Sequence, residues 1–353
     1  MSPVPGHRQF REDAGAGFPP FRPRFPWLGG DLQTLRNSFP NASPRVTGGT
    51  RRLEFPMEDG TGDRLNGLLD VPSEPGNPVP LVLLLHGLTG CESSAYMLES
   101  ARYFVSLGHP VLRLNLRGSV PTRPHCRQTY HAGRSEDLVT VLAQLQRDPL
   151  TRGPILIIAF SLAGSMLLRL LATRPDAGPV LAAVTVSAPI ALADTARQFL
   201  RLRNRPYHRW LLRNMKADTL ALRDLDPGEI RAVASARTVV EFDETFIAPR
   251  FGFAGAADYY RRCSARQFLE GITVPVLLIH ARNDPWIPVR AYREVDWTRL
   301  EHVSALLPRS GGHVGFHDTG PGRWHDRVAA IHFRRYLPDR HFRSDCRTLR
   351  QAR

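Results

Sequence analysis

At 353 residues, with 42% hydrophobic residues and 17 Phe, the chain has apolar material for one large core, and α/β folds past 250 residues commonly remain a single domain. The formal net charge is +14, carried almost wholly by arginine because Lys216 is the sole lysine, and this favours anionic surfaces or substrates. Four scattered cysteines, Cys91, Cys126, Cys263 and Cys346, form no C-x-x-C pair, which argues against a zinc site or a disulfide framework and fits free thiols in a reducing compartment.

The opening M-S-P-V-P-G-H-R-Q-F-R has no apolar h-region, and no run reaches the roughly 18–20 apolar residues that span a bilayer. The expected location is cytoplasmic. Residues 1–50, rich in Pro, Gly and Arg, read as an arm whose first part is disordered. Within it, P-W-L-G-G-D-L-Q-T-L from Pro26 carries apolar anchors suited to packing on the main domain. Residues 51–71 read as a β-hairpin about the turn E-D-G-T-G-D.

From there the pattern changes. Short apolar runs begin at Pro80, Val111, Pro154, Val180, Val274 and Val303, and helical stretches are expected near 95–107, 135–147, 163–174, 288–296 and 323–336. Continuous apolar strands alternating with helices predict an α/β fold, a mostly parallel sheet with helices on both faces, over 51–340. Segment 189–262 interrupts the rhythm after a strand and reads as a helical cap insertion. Residues 197–216 within it are strongly basic, and 341–353 read as a basic, frayed tail.

Reactions on open parallel sheets sit beyond the carboxyl ends of the strands. After the run at 80–85 comes H-G-L-T-G, where the Leu88 N–H is placed to face a reacting oxygen. After 154–160 comes A-F-S-L-A-G, with Ser161 at a strand-to-helix turn and the Leu162 N–H at a helix start, where backbone donors lack partners. Two such donors make an oxyanion hole. A serine hydroxyl needs a base, and the base needs an orienting acid. Asp284 follows the run at 274, and His313 lies in the glycine-flanked loop after the run at 303. The order Ser161, Asp284, His313 is that of α/β-hydrolases.

These words, in order, resemble the YheT-like family of bacterial α/β-hydrolases, relatives of eukaryotic abhydrolase-domain acylglycerol lipases and yeast medium-chain acyl ester enzymes. The resemblance runs from about Trp27 to Tyr336. It includes L-Q-T at Leu32, Y-H-A-G-R-S-E-D at Tyr130, V-S-A-P at Val186, E-F-D at Glu241, A-D-Y-Y-R-R-C-S at Ala257, H-A-R-N-D-P at His280 and G-G-H-V-G-F at Gly311. It implies a Ser161–His313–Asp284 triad with donors at Leu88 and Leu162, and ester hydrolysis without a cofactor. It also implies acyl transfer to an alcohol in some members. The chain departs from the family in two places: A-F-S-L-A-G stands for G-Y-S-L-G-G, and G-G-D-L-Q-T for N-P-H-L-Q-T. Two extra methyls at Ala159 and Ala163 predict a slightly tighter elbow, and they keep alive a binding protein of weakened catalysis.

Other groupings carry less. His313, His317 and Asp318 have a spacing that can serve a metal, but a glycine loop with no supporting cluster argues against one. Arg117 reads as a structural arginine, and Tyr130, His131 and Asp137 as pocket wall or helix start. The basic 197–216, interleaved with Phe199, Tyr207 and Trp210, reads as a solvated cap face or as a surface for peripheral contact with an anionic membrane. No recognition motif accompanies the charge, so nucleic acid is not expected. The expected substrate is a small-molecule or lipid ester.

Overall fold

The computed structural model describes residues 10–11, 17–39, 48–73 and 79–337. The start of the arm, expected to be disordered, falls largely outside these, and the basic tail at 341–353 wholly outside. Residues 17–39 are folded. They include α1 (Gly29–Leu35).

The described strands form one sheet ordered β1-β9-β8-β7-β6-β4-β5-β3-β2. The hairpin is β2 (Gly49–Pro56) and β3 (Arg64–Val71), antiparallel along their whole length. β3 joins β5 (Val111–Asn115) antiparallel, and the remaining pairs are parallel: β4 (Leu81–Leu85), β6 (Ile155–Phe160), β7 (Val180–Val186), β8 (Val276–Ile279) and β9 (Val303–Leu306). A two-residue strand, β1 (Phe10–Arg11), adds parallel to β9 at the edge, an element that the sequence pattern does not announce.

Every residue of β4, β5, β6 and β8 is buried, as expected of strands covered on both faces. Alternation divides them between two cores. Leu83, Leu85, Ile157 and Ala159 face a layer with α3 (Glu136–Leu145) and α4 (Leu162–Thr173). Val82, Leu84, Ile158 and Phe160 face α2 (Ala95–Ser106) and the last helix (Trp324–Arg334). The helix expected at 288–296 is shorter, Arg290–Arg293, followed by a single 3-10 turn at Trp297–Arg299. Between β7 and β8 the chain is helical: α5 (Leu192–Phe199), α6 (Arg205–Leu220), α7 (Pro227–Ser235), α8 (Val239–Phe242), α9 (Ala248–Arg250) and α10 (Ala256–Cys263). These helices share an apolar cluster of their own, distinct from the two sheet cores.

Candidate active site

Ser161 stands at the junction of β6 and α4 with φ 51° and ψ −125°. A non-glycine residue there is strained, by about 1–3 kcal/mol, and such strain gathers at functional sites. Two hydrogen bonds pin the turn: the Ser161 N–H donates to the Val186 carbonyl at 2.8 Å, and the Gly164 N–H to the Ser161 carbonyl at 2.8 Å. Ala159 and Ala163 are fully buried members of a sheet core, which accommodates both methyls. The tight approach lies one residue further on. A Cβ at Gly164 would stand 2.7 Å from the Ala188 Cβ, so glycine is kept where α4 meets the neighbouring strand end.

The structure brings the three candidate side chains together. His313 Nε2 lies 2.9 Å from Ser161 Oγ, and His313 Nδ1 lies 2.9 Å from Asp284 Oδ2. Asp284 Oδ1 accepts the Trp286 and Ile287 N–H groups at 2.8 and 3.0 Å. Burial opposes charge on Asp284, but His313 and the Ile287 amide outweigh it and hold the carboxyl below the ordinary value. The Trp286 ring stacks on His313 with centroids 4.3 Å apart. Behind Asp284, the fully buried His280 stacks on Tyr292, and burial pushes it down to about 4, so it packs there as a neutral ring.

Leu88 lies in the loop after β4. The Gly87 N–H donates to Tyr96 Oη at 3.0 Å and the Thr89 N–H to Tyr130 Oη at 2.7 Å, so the amides on either side of Leu88 are engaged. The Leu162 N–H heads α4, where no intrahelical acceptor exists. His86 holds the loop: Nδ1 donates to the Gly87 carbonyl at 2.8 Å, and Nε2 accepts the Leu116 N–H at 3.0 Å.

Sequence reasoning missed what holds the His313 loop. The Thr34 hydroxyl accepts the His313 N–H at 2.8 Å and donates to the Gly30 carbonyl at 2.7 Å. Gln33, fully buried, brackets His317: Oε1 accepts its N–H at 2.7 Å, and Nε2 donates to its carbonyl at 2.9 Å. Ser187 Oγ accepts the Val314 N–H at 3.1 Å, fixing a β-branched residue at φ 55°. The L-Q-T and V-S-A-P words held these residues, but nothing local to them names their partner. The G-G-D departure has its own reason: a Cβ at Gly30 would lie 2.0 Å from the Asn283 carbonyl oxygen, so α1 packs directly on the loop that carries Asp284.

Residues 80–319 match a family described as having the alpha/beta hydrolase fold. The chain is 33% identical over 294 residues to YheT of Escherichia coli K12, named as an esterase, with 81% of this chain and 83% of that protein covered. The chain belongs to the alpha/beta hydrolase family. The resemblance to YheT-like members read from the motifs is thereby borne out. This alpha/beta hydrolase is also 28% identical over 245 residues to phospholipase ABHD3 of Mus musculus, covering 67% of this chain and 58% of that longer protein. Among solved structures, the Pyrococcus furiosus esterase Pf2001 matches with a TM-score of 0.56 at 19% identity, over 84% of this chain and 97% of that one, a likeness of fold.

The remaining candidates of this hydrolase have structural partners. Arg117, 1% exposed, pairs with Asp59, Asp63 and Asp137, tying the hairpin turn to α3. His317 Nε2 lies 3.2 Å from Asn37 Oδ1, and Asp318 pairs with Arg327 and accepts the Arg22 N–H, so both hold the N-terminal segment. Tyr130 and His131 line a cavity that opens at Ser161 and runs under α5, α6 and α10. A second groove also reaches Ser161, between α1, α2 and the start of α6. Among the described residues, no helix is long and apolar enough to cross a membrane. Cys91, Cys126 and Cys263 are unpaired thiols, and Cys346 lies outside the described residues.

Proposed function

We propose that the chain is a carboxylic ester hydrolase that works through Ser161, His313 and Asp284 and an acyl-enzyme intermediate. The observation that carries this is the continuous chain of 2.9 Å contacts from Ser161 Oγ through both His313 nitrogens to a buried carboxylate. His313 takes the Ser161 proton as Oγ attacks the ester carbonyl. The Leu88 and Leu162 amides hold the oxyanion. Asp284 fixes the His313 tautomer and stabilises its charged form. His313 then protonates the leaving alcohol and activates water to release the acid. Relatives named as esterase and phospholipase support the substrate class.

Two spaces meet at Ser161, and they suit the two halves of an ester. The cavity under the helical segment between β7 and β8, which we assign as a cap, has apolar walls from Leu192, Phe199, Leu211 and Met215, and suits an acyl chain. The groove beside α1 suits the alcohol part. Its rim supports a peripheral contact with anionic lipid. Leu28 just before α1, Leu32 and Leu35 within it, and Leu202 and Trp210 of the cap are exposed, as are Arg201, Arg205 and Arg209. Arg203 and Tyr207 bond Asp31, which joins the two halves of this rim. A reducing, cytoplasmic location belongs to the same proposal, supported by the three unpaired thiols.

An ester panel of graded acyl length tests the reaction. Wild type is expected to release acid, and Ser161→Ala to release none above background. Added glycerol or ethanol separates hydrolysis from acyl transfer, since transfer would yield the new ester. Vesicles with and without anionic lipid test the rim: sedimentation with anionic vesicles is expected, weakened by Leu202→Asp.

A further inference from the structure

Asp243 is a buried carboxyl whose hydrogen bonding is half complete. It opens a π-helical turn, Asp243–Ile247, between α8 and α9. Such turns are rare and recur at functional sites. The residue is 7% exposed and lines the cavity that opens at Ser161. Oδ2 accepts the Tyr260 hydroxyl at 2.6 Å. Among the described residues, Oδ1 accepts no hydrogen bond and no cation pairs with the carboxyl. Oδ1 is also not among the fully sealed polar atoms that lack a partner, a group that includes Asp326 Oδ2. The free oxygen therefore opens on the cavity. Asp218, the other acid in this wall, differs in being paired with Arg123 at 2.6 Å.

We propose that Asp243 forms a subsite for a hydroxyl group carried on the acyl chain of the substrate. The apolar wall accepts hydrocarbon, and a single polar point inside it selects where oxygen must sit. A hydroxyl both donates and accepts, so it pairs with Asp243 whether or not the carboxyl is protonated. An ammonium group pairs only with the charged form. Burial disfavours that form and pushes the carboxyl up to about 7, against the Tyr260 hydrogen bond. A plain chain would cover the free oxygen without offering it a hydrogen bond, and sites built to bond a hydroxyl discriminate against analogues that lack it. The assignment of the ligand as an acyl chain rests on the ester hydrolase proposal.

The test uses binding without turnover. The full chain carrying Ser161→Ala is titrated by calorimetry with medium-chain methyl alkanoates and with methyl hydroxyalkanoates in which the hydroxyl is moved carbon by carbon. At one hydroxyl position the Kd is expected to be about tenfold tighter than for the unsubstituted ester. Adding Asp243→Leu is expected to bring that ratio to one while the plain ester binds at least as well. Tyr260→Phe separates this from a purely structural pair. It removes the same hydrogen bond and lowers the melting temperature but keeps the ratio. Where Asp243→Leu costs the fold, Asp243→Ala removes the carboxyl without adding bulk, and the ratio is expected to fall to one there too. A ratio of one at every position in the Ser161→Ala chain overturns the proposal, as does a preference that survives Asp243→Leu or Asp243→Ala. Failure of the hydrolase proposal would appear separately, as absence of turnover by the wild-type chain.

Discussion

Ser161 and His313 sit 2.9 Å apart, yet the chain holds them in different ways. Ser161 is placed locally. β6 leads straight into α4, the strained turn is closed by its own strand neighbour and its own helix, and both flanks are buried in the sheet core. His313 is placed remotely. Its loop carries strained backbone at Val314 and Phe316 and is held by Thr34, Gln33 and Asn37 from the N-terminal segment and by Ser187 after β7. A nucleophile built into the sheet should tolerate changes elsewhere. A base held by a distant segment should not.

The largest expected effect removes the proposed nucleophile. Ser161→Ala should lower kcat on a competent ester by about 10⁴-fold or more while leaving the fold intact, which circular dichroism and a melting curve would check. Asp284→Asn should cost about 10⁴-fold through the wrong His313 tautomer. It also has a pH signature. The folded-state carboxyl lies below its ordinary 3.8, so its contribution to stability is present above that value and is lost as the pH falls through the depressed one. The gap in stability between wild type and Asp284→Asn should therefore narrow below about pH 4 in acid-unfolding curves.

Smaller effects sharpen the contrast between the two placements. Thr34→Val leaves the buried His313 N–H without its acceptor, and should cost about 1–3 kcal/mol of stability. It should also lower kcat more than it raises KM, because it loosens the base. Equal activity and stability in Thr34→Val would show that the N-terminal segment does not hold the loop. The smallest effect falls on the elbow. Ala163→Gly in the first turn of α4 should destabilise by about 0.5–1 kcal/mol through backbone entropy, with ester turnover kept or slightly raised. A large gain in turnover would mean that the two alanines crowd the serine more than the packed core indicates.

The same contrast explains what could be read from the sequence. Strands β4 to β9 announce themselves because burial on both faces demands short, predominantly apolar runs, and strand ends mark where Ser161, Asp284 and His313 must emerge. The order of those residues and the H-G-L-T-G loop carried the rest of the candidate site. The hold of Gln33 and Thr34 on His313 and His317 left no such mark. Each is a hydrogen bond between segments some 280 residues apart, and a buried amide or hydroxyl has no periodicity to betray its partner. β1 is too short for a pattern, and the π-helical turn at Asp243 breaks the helical spacing that would otherwise locate it. The apolar anchors from Pro26 predict packing on the main domain, but they do not name the loop that residues 17–39 buttress, the one that carries the proposed base.

The most direct test of the central claim is covalent. The folded wild-type chain is treated with a fluorophosphonate and digested, and the adduct is located by mass spectrometry. A single adduct on the Ser161 peptide is expected, absent in Ser161→Ala and formed far more slowly in His313→Ala. A folded wild-type chain that takes no label, or an adduct that persists after Ser161→Ala, would contradict the account.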